Sequence, residues 1–541
     1  MTPGRSAILY DTAGLDPARE RLTGLAVATR DFLRAHLDHG APGPLFVHPT
    51  TDVTEAAVRT RFPTDRAIRI IPRVQARALA EPGGLFVPGP VLAPFAWRRR
   101  HAGDTTYALT GITHTMSTAR ALDAVRELMV APVQPWDALI CTSAAIHDLV
   151  SRCLEQQAAY LAERFGIAAP MVRPMLPVIP LGVEPEAIRA TPDRRAAFRA
   201  RHGIADGDVA VLYLGRLAAH AKAHPIPMFR ALGLAAARGS APLVCVLAGW
   251  FHDDVSRAAF LTAAGALAPT VRVIHVDARD PVVKNDALAA GDVFLSLADN
   301  VQESFGLTPI EAMAAGLPCV VSDWDGYKDT VVEGETGFRA PIHLPPGGSG
   351  ADLAWRRLSG FDNEATFHAQ MAQTIAVDVE AAARALVVLA DDPALRRRMG
   401  EAGRVRARSV YGWSVIIRRY EELWAEQRAR RERAIQDGVA GPTGPSTAAA
   451  DPFALFGGFA SRDLASGARF SLATEAPLDD FETLAALPMA VLDPRLPDRG
   501  RALLDHVMTA GSVRLDVTSE PLTWRTALWL AKLGLLRIEP L

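Results

Sequence analysis

The chain reads as α/β, with two large domains each built on a doubly wound parallel sheet. Three observations predict this class. Its 541 residues exceed what one hydrophobic core normally holds. Short apolar runs alternate with stretches of helical period near the N-terminus, and the alternation begins again near residue 209. Polar, glycine-containing loops follow several of the apolar runs, and the carboxyl ends of parallel strands are where such sheets bind ligands.

Composition narrows the function. Apolar residues make up 49%, enough to fill real cores. A net charge of −2 and a pI near 6.7 argue against a bulk electrostatic hold on nucleic acid or an anionic membrane, although a local peripheral contact stays open. No stretch reaches the ~18 uninterrupted apolar residues of a spanning helix, and a basic-then-apolar leader is not evident, so a cytoplasmic location is expected. Cys141, Cys153, Cys245 and Cys319 are scattered without metal-ligand spacing. Only Lys222, Lys284, Lys328 and Lys532 are lysine among 58 basic residues, a bias that fits either a GC-rich genome or places needing a compact ammonium.

In chain order, Ala7–Tyr10, Leu45–Val47, Ile68–Ile71, Tyr107–Ile112 and Leu139–Cys141 read as strands. Helical periods lie between them at 22–37, 54–61, 117–130 and 144–165. His114 follows the Tyr107–Ile112 strand and so faces the ligand side of the sheet, or else bonds a neighbouring carbonyl at a helix start that Ser117 would cap. The run Trp97-Arg98-Arg99-Arg100-His101 reads as a solvated helix end. Residues 178–183 form an extended exit segment. The second series has strands at 209–216, 243–248, 271–276 and 293–297, with helices from about 227, at 258–267 and at 282–290. After 336–338, three or four helices fill 352–408, and Trp413, Tyr420, Leu423 and Trp424 give the next helix an aromatic face.

The most informative stretch is Asp299 to Gly316. It reads as loop, helix tip and short helix, with Thr308 as cap, Pro309 at the first helical position and Gly316 as the stop. The amides of Phe305, Gly306 and Leu307 then lie at the positive end of the helix, where an anion is held well. Glu303 and Glu311, eight apart around an exposed Phe-Gly pair, suit the hydroxyls beside a phosphate. Glu311 also completes a Thr308-Pro309-Ile310-Glu311 capping box, and Glu303 also fits a solvated loop acid. Asp323-Trp324-Asp325 has the form of a metal anchor, but it lies in a doubly wound series where Arg216, Lys222 and a helix tip already offer positive charge, so no metal is expected and Asp325 reads as a helix cap.

These motifs resemble the E-x7-E signature of retaining glycosyltransferases of family 4, which have the GT-B fold. The resemblance covers roughly 6–424. It implies two facing Rossmann-like domains, 1–182 on the acceptor side and 183–410 on the nucleotide-sugar side, with 411–436 crossing back. It also implies sugar transfer from a nucleotide-diphosphate sugar, as co-substrate rather than cofactor, to a sugar, lipid-linked or small-molecule acceptor, with retention and without a metal. Arg216 and Lys222 match the element that holds the donor diphosphate, with a spacer one residue longer than usual. Glu311 would read the ribose, and Glu303 the sugar hydroxyls. Ser304, Phe305, Gly306 and Leu307 would line the donor, the latter three through their amides; His114 would face the sugar, and Gly24 would let the phosphates approach. A nucleotide-sugar hydrolase or epimerase, and a non-catalytic sensor, are the rival readings. Beyond a Gly/Pro/Ala/Thr-rich linker at 437–450, residues 451–541 lie outside the resemblance. They read as a small α+β, winged-helix-like module that would dock a protein partner rather than DNA.

Overall fold

The computed structural model describes residues 4–11, 24–166, 172–219, 222, 224–251, 253–439, 447–462, 464, 467–475 and 477–540. They form two compact units, 1–448 and 449–541.

The first half of the larger unit is β1 (Ala7–Tyr10), α1 (Gly24–His39), β2 (Leu45–Pro49), α2 (Glu55–Arg61), β3 (Ile68–Ile70), β4 (Gly84–Val87), α3 (Ala93–Arg100), β5 (Ala108–Ile112), α4 (Ala119–Glu127), β6 (Ala138–Ile140) and α5 (Ala144–Phe165). Its sheet runs β3-β2-β1-β4-β5-β6 and every pairing is parallel. Such a sheet is buried on both faces, so its strands read as apolar runs. Ile8 and Tyr10 enter one core while Ala7 and Leu9 enter the other, as the two-residue pleat requires.

The second half continues through α6 (Pro192–His202), β7 (Val209–Leu214), α7 (Pro225–Arg238), β8 (Leu243–Ala248), α8 (Asp254–Leu267), β9 (Arg272–Val276), α9 (Pro281–Ala290), β10 (Val293–Ser296), α10 (Leu307–Ala315), β11 (Cys319–Ser322), α11 (Tyr327–Thr330) and β12 (Gly337–Ala340). This sheet is ordered β12-β11-β10-β7-β8-β9, again all parallel. Strand order therefore reverses between β7 and β10, and a crevice opens at their carboxyl ends.

An excursion follows: β13 (Ile342–His343), α12 (Ala351–Leu358), α13 (Glu364–Ala372) and β14 (Ala376–Val377), with β13 and β14 paired antiparallel at its base. The chain then returns through α14 (Val379–Asp391), α15 (Pro393–Tyr411) and α16 (Trp413–Gln436). Trp413, Tyr420 and Trp424 of α16 pack against Phe32 and Phe86 of the first half. Gln427 donates to the carbonyls of Leu109 and Trp136, both at 2.9 Å, and accepts from Thr110. The chain crosses between the halves at 179–183 and again at 411–413. There Val183 donates to Tyr411 at 2.9 Å and Trp413 donates back to Val183 at 3.0 Å.

The smaller unit comprises α17 (Pro452–Leu455), β15 (Ala468–Leu472), α18 (Pro477–Ala485), α19 (Leu496–Ala510), β16 (Ser512–Leu515), α20 (Pro521–Lys532) and β17 (Leu536–Pro540). Its antiparallel sheet is ordered β16-β15-β17, over a core including Phe470, Phe481, Leu504 and Leu530. Strand β15 and helix α18 are absent from the sequence expectation.

Two local expectations are corrected. The basic run at the end of α3 is not wholly solvated: Arg98 and His101 are exposed as expected, but Arg99 is 0% exposed and bonds Asp137 through both terminal guanidinium nitrogens, at 2.6 and 2.8 Å. Thr118 rather than Ser117 caps α4, accepting from the Ala121 amide.

Candidate functional site

Loops after β7 and β10 meet at the crevice. The β7 loop carries Arg216 at its start and Lys222 near its end. The β10 loop runs from Asp299 through Glu303 to the tip of α10. Lys222 Nζ lies 3.0 Å from Glu303 Oε2, so one ammonium and one carboxylate of the motif already touch. Asn300, fully buried, donates its side-chain amide to the Lys222 carbonyl and accepts from the Gln302 amide. Asp299, also buried, draws on the His224 amide, which ties the two loops a third time. Among the described residues Arg216 joins no ion pair. It and Glu303 both act on the Tyr213 phenol, whose hydroxyl donates to the Arg216 carbonyl at 3.1 Å.

The helix tip differs from its expected form. Gly306 is the N-cap, with φ +92°, and Leu307 is the first helical residue, so Thr308 is not the cap and Pro309 stands third rather than first. Proline is tolerated there because first-turn amides have no intrahelical acceptor. A Cβ at 306 would lie 2.2 Å from the Tyr327 ring, so both conformation and space demand glycine. No capping box forms. Glu311 instead accepts from Lys284 of α9 at 2.8 Å. The Phe-Gly pair is not exposed: Phe305 is buried, edge-on to Tyr411, which leaves only its backbone free to face a ligand. The scarcity of lysine was the available signal for Lys284, which no motif assigned.

The first half supplies the opposite wall. Thr115, beside His114, donates to the Gln302 carbonyl at 3.4 Å. Ser143, the cap of α5, donates to the Ser304 carbonyl at 3.0 Å and to Asp325 at 3.3 Å, while the Ala144 amide donates to Asp329 at 2.6 Å. His114 lines a small pocket with Thr29, Phe86, Pro88, Pro180 and Leu181. Its Nε2 is buried without a partner among the described residues, and burial lowers its pKa to about 4, so the ring is neutral at pH 7. Gly24 opens α1, but residues 12–23 before it, and with them the expected phosphate approach, lie outside the described residues.

Asp323 and Asp325 part company. Asp323 pairs with Arg339 at 3.2 Å, whereas Asp325 turns to Ser143 instead of capping α11, whose N-cap is Gly326. Burial first, then the charge of Glu303, raises Asp325 to about 7. A carboxyl whose folded pKa is raised binds a proton that the unfolded chain has released, so its ionisation costs stability fully above about pH 7 and progressively less toward pH 4. Asp325→Asn is therefore expected to be more stable than the wild type at pH 8, with the gap narrowing as pH falls. Urea midpoints of the two proteins across about pH 5 to 8 check this; a constant gap refutes it.

Residues 194–345 match the family model "Glycosyl transferases group 1". D-inositol 3-phosphate glycosyltransferase of Nocardia farcinica is 30% identical over 195 residues, 35% of this chain and 40% of that one. Phosphatidyl-myo-inositol mannosyltransferase of Mycobacterium leprae is 34% identical over 149 residues, 27% of this chain and 30% of the relative. A Streptomyces avermitilis D-inositol 3-phosphate glycosyltransferase is 28% identical over 283 residues, covering 51% and 50%. The chain thus spans half or less of these relatives' lengths. In structure, Anabaena Alr3699/HepE in complex with UDP superposes with a TM-score of 0.50 at 14% identity, over 78% of this chain and 99% of that one. That likeness, with the two doubly wound sheets, shows the GT-B fold.

Proposed function

Because residues 194–345 carry a glycosyl transferases group 1 domain, we propose that the chain moves a sugar from a nucleotide-diphosphate sugar to a hydroxyl acceptor, with retention and without a metal. The observation that carries this reading is the Lys222–Glu303 pair at the β7/β10 reversal, beside the tip of α10. A departing diphosphate gains negative charge as the glycosidic bond breaks. Arg216, Lys222 and the tip amides are fixed positive groups that stabilise this charge more in the transition state than in the ground state. They supply what a divalent ion would otherwise bring.

Glu303 then accepts from the sugar's hydroxyls and Glu311 from the ribose, each released from its lysine or sharing it. His114, neutral, offers its unpartnered Nε2 to the sugar from the first half. In a same-face reaction the leaving phosphate takes the acceptor's proton, so no enzymic nucleophile is needed. The Nocardia and Streptomyces relatives are named for D-inositol 3-phosphate and the Mycobacterium one for phosphatidyl-myo-inositol, which makes a polyol phosphate, free or lipid-linked, the first acceptor class to try.

A thermal-shift panel of nucleotide sugars tests the donor site. A ligand at 100 times its Kd that binds only the folded state adds about 2.7 kcal/mol. At least one nucleotide sugar should raise the melting temperature of the wild type, and the shift should be lost in Lys222→Ala. No shift with any donor, or an unchanged shift in the variant, defeats the reading. Full-rate nucleotide release without an acceptor would identify a hydrolase instead.

A further inference from the structure

We propose that the β13–β14 excursion forms part of the sugar end of the donor site, and that His368 on α13 is a positioning residue that holds Glu303 in place through Gln302. The proposal rests on the function proposed above. The family match ends at residue 345, so β13 lies within it while α12, α13 and β14 lie beyond it.

His368 is 0% exposed, and both of its ring nitrogens are engaged. Nε2 lies 3.3 Å from the Ser117 carbonyl, which can only accept, so Nε2 carries the proton. Nδ1 is then an acceptor, and the Gln302 side-chain amide donates to it at 2.8 Å. Burial lowers the pKa of this ring, which favours the neutral form that the pattern requires. One imidazole therefore joins the loop of Glu303 to the loop that follows His114.

Neighbouring bonds hold the excursion against the first half. Glu364, one turn before His368, accepts from the Ala119 amide at 2.8 Å and from Arg357, which also donates to the Ser117 carbonyl at 2.8 Å. Gln302 is in turn fixed by Asn300 at its amide and by Thr115 at its carbonyl. The stretch from 301 to 306 is irregular backbone ending at a left-handed glycine, so it depends on outside anchors for its shape. Gln302 is the residue next to Glu303. A displacement of about 1 Å at a substrate-holding group can cost on the order of a hundredfold in rate.

The test compares two affinities on the full-length chain. Calorimetry gives Kd for the best-bound of UDP-glucose, UDP-N-acetylglucosamine and GDP-mannose, and for the matching UDP or GDP, together with the melting temperature. In His368→Ala, affinity for the nucleotide sugar should fall about tenfold while that for the bare nucleotide stays within about twofold, because Arg216 and Lys222 rise from the β7 loop, which Asn300 and Asp299 tie to the β10 loop without His368. Gln302→Ala should reproduce this, the double variant should add nothing further, and His368→Gln, which can still accept from Gln302 and donate to Ser117, should restore most of the loss. Gln302 is only partly buried, so its variant reads the link even where His368→Ala does not fold. Equal losses for both ligands, an unchanged ratio or additive effects overturn the proposal. A wild type that binds none of the three donors overturns the function proposed above, before any variant is compared.

Discussion

Lys222→Ala is expected to slow turnover about 100- to 1,000-fold while leaving stability nearly unchanged, which separates chemistry from folding. The Lys222 side chain is 38% exposed, and its pair with Glu303 is of the partly solvated kind that contributes at most about 1 kcal/mol to folding. On the proposed reading, by contrast, the leaving diphosphate develops its charge where this ammonium sits, beside the tip of α10. A fixed donor lost from such a site raises the barrier by about 3–4 kcal/mol. The check is nucleotide release with donor and acceptor present, alongside a melting curve. Activity within about threefold of the wild type, or a melting temperature that falls with activity, would remove Lys222 from the diphosphate site.

The largest expected effect on stability lies far from the crevice, at Asp137. Its carboxylate is fully buried and takes four bonds: two from Arg99, at 2.6 and 2.8 Å, and one each from the amides of Leu109 and Gln134, both at 2.8 Å. Asp137→Ala leaves the Arg99 guanidinium buried and unpaired and strands two amides, a loss of about 3–5 kcal/mol. Replacing both members, as in Arg99→Leu with Asp137→Ala, removes the uncompensated charge and should recover part of that loss. Urea unfolding followed by the near-ultraviolet signal of the tryptophans gives both numbers. A single variant as stable as the double one would contradict the account.

How far the sequence carried depends on whether a feature is local. Strand β10, the loop, helix α10 and strand β11 follow from a polar break between apolar runs, and residues 293–322 fold in that order. The helix start was misplaced because Thr308-Pro309-Ile310-Glu311 has the form of a capping box, while the deciding partners come from elsewhere. Tyr327 packs over Gly306, and Lys284 takes Glu311. Arg99 was misread for the same reason, since nothing within a run of arginines says which one points into a core. Strand β4 escaped notice because its four residues sit between Pro82-Gly83 and Pro88-Gly89, which read as turns. The contacts of His368 with Gln302 and Ser117 span 66 and 251 residues, beyond the reach of any local pattern.

The twin passage of the chain at Val183 and Gly412 has a mechanical consequence. The two strands of the passage are hydrogen-bonded to each other, and the indole of Trp413 lies where a Cβ on Gly182 would be, 2.3 Å away, so the seam has no slack. Relative motion of the halves is then a swing about one axle rather than a slide. Displacement grows with distance from that axle, so the Ser143–Ser304 and Thr115–Gln302 contacts lie at the rim of any such swing and would part before the seam does.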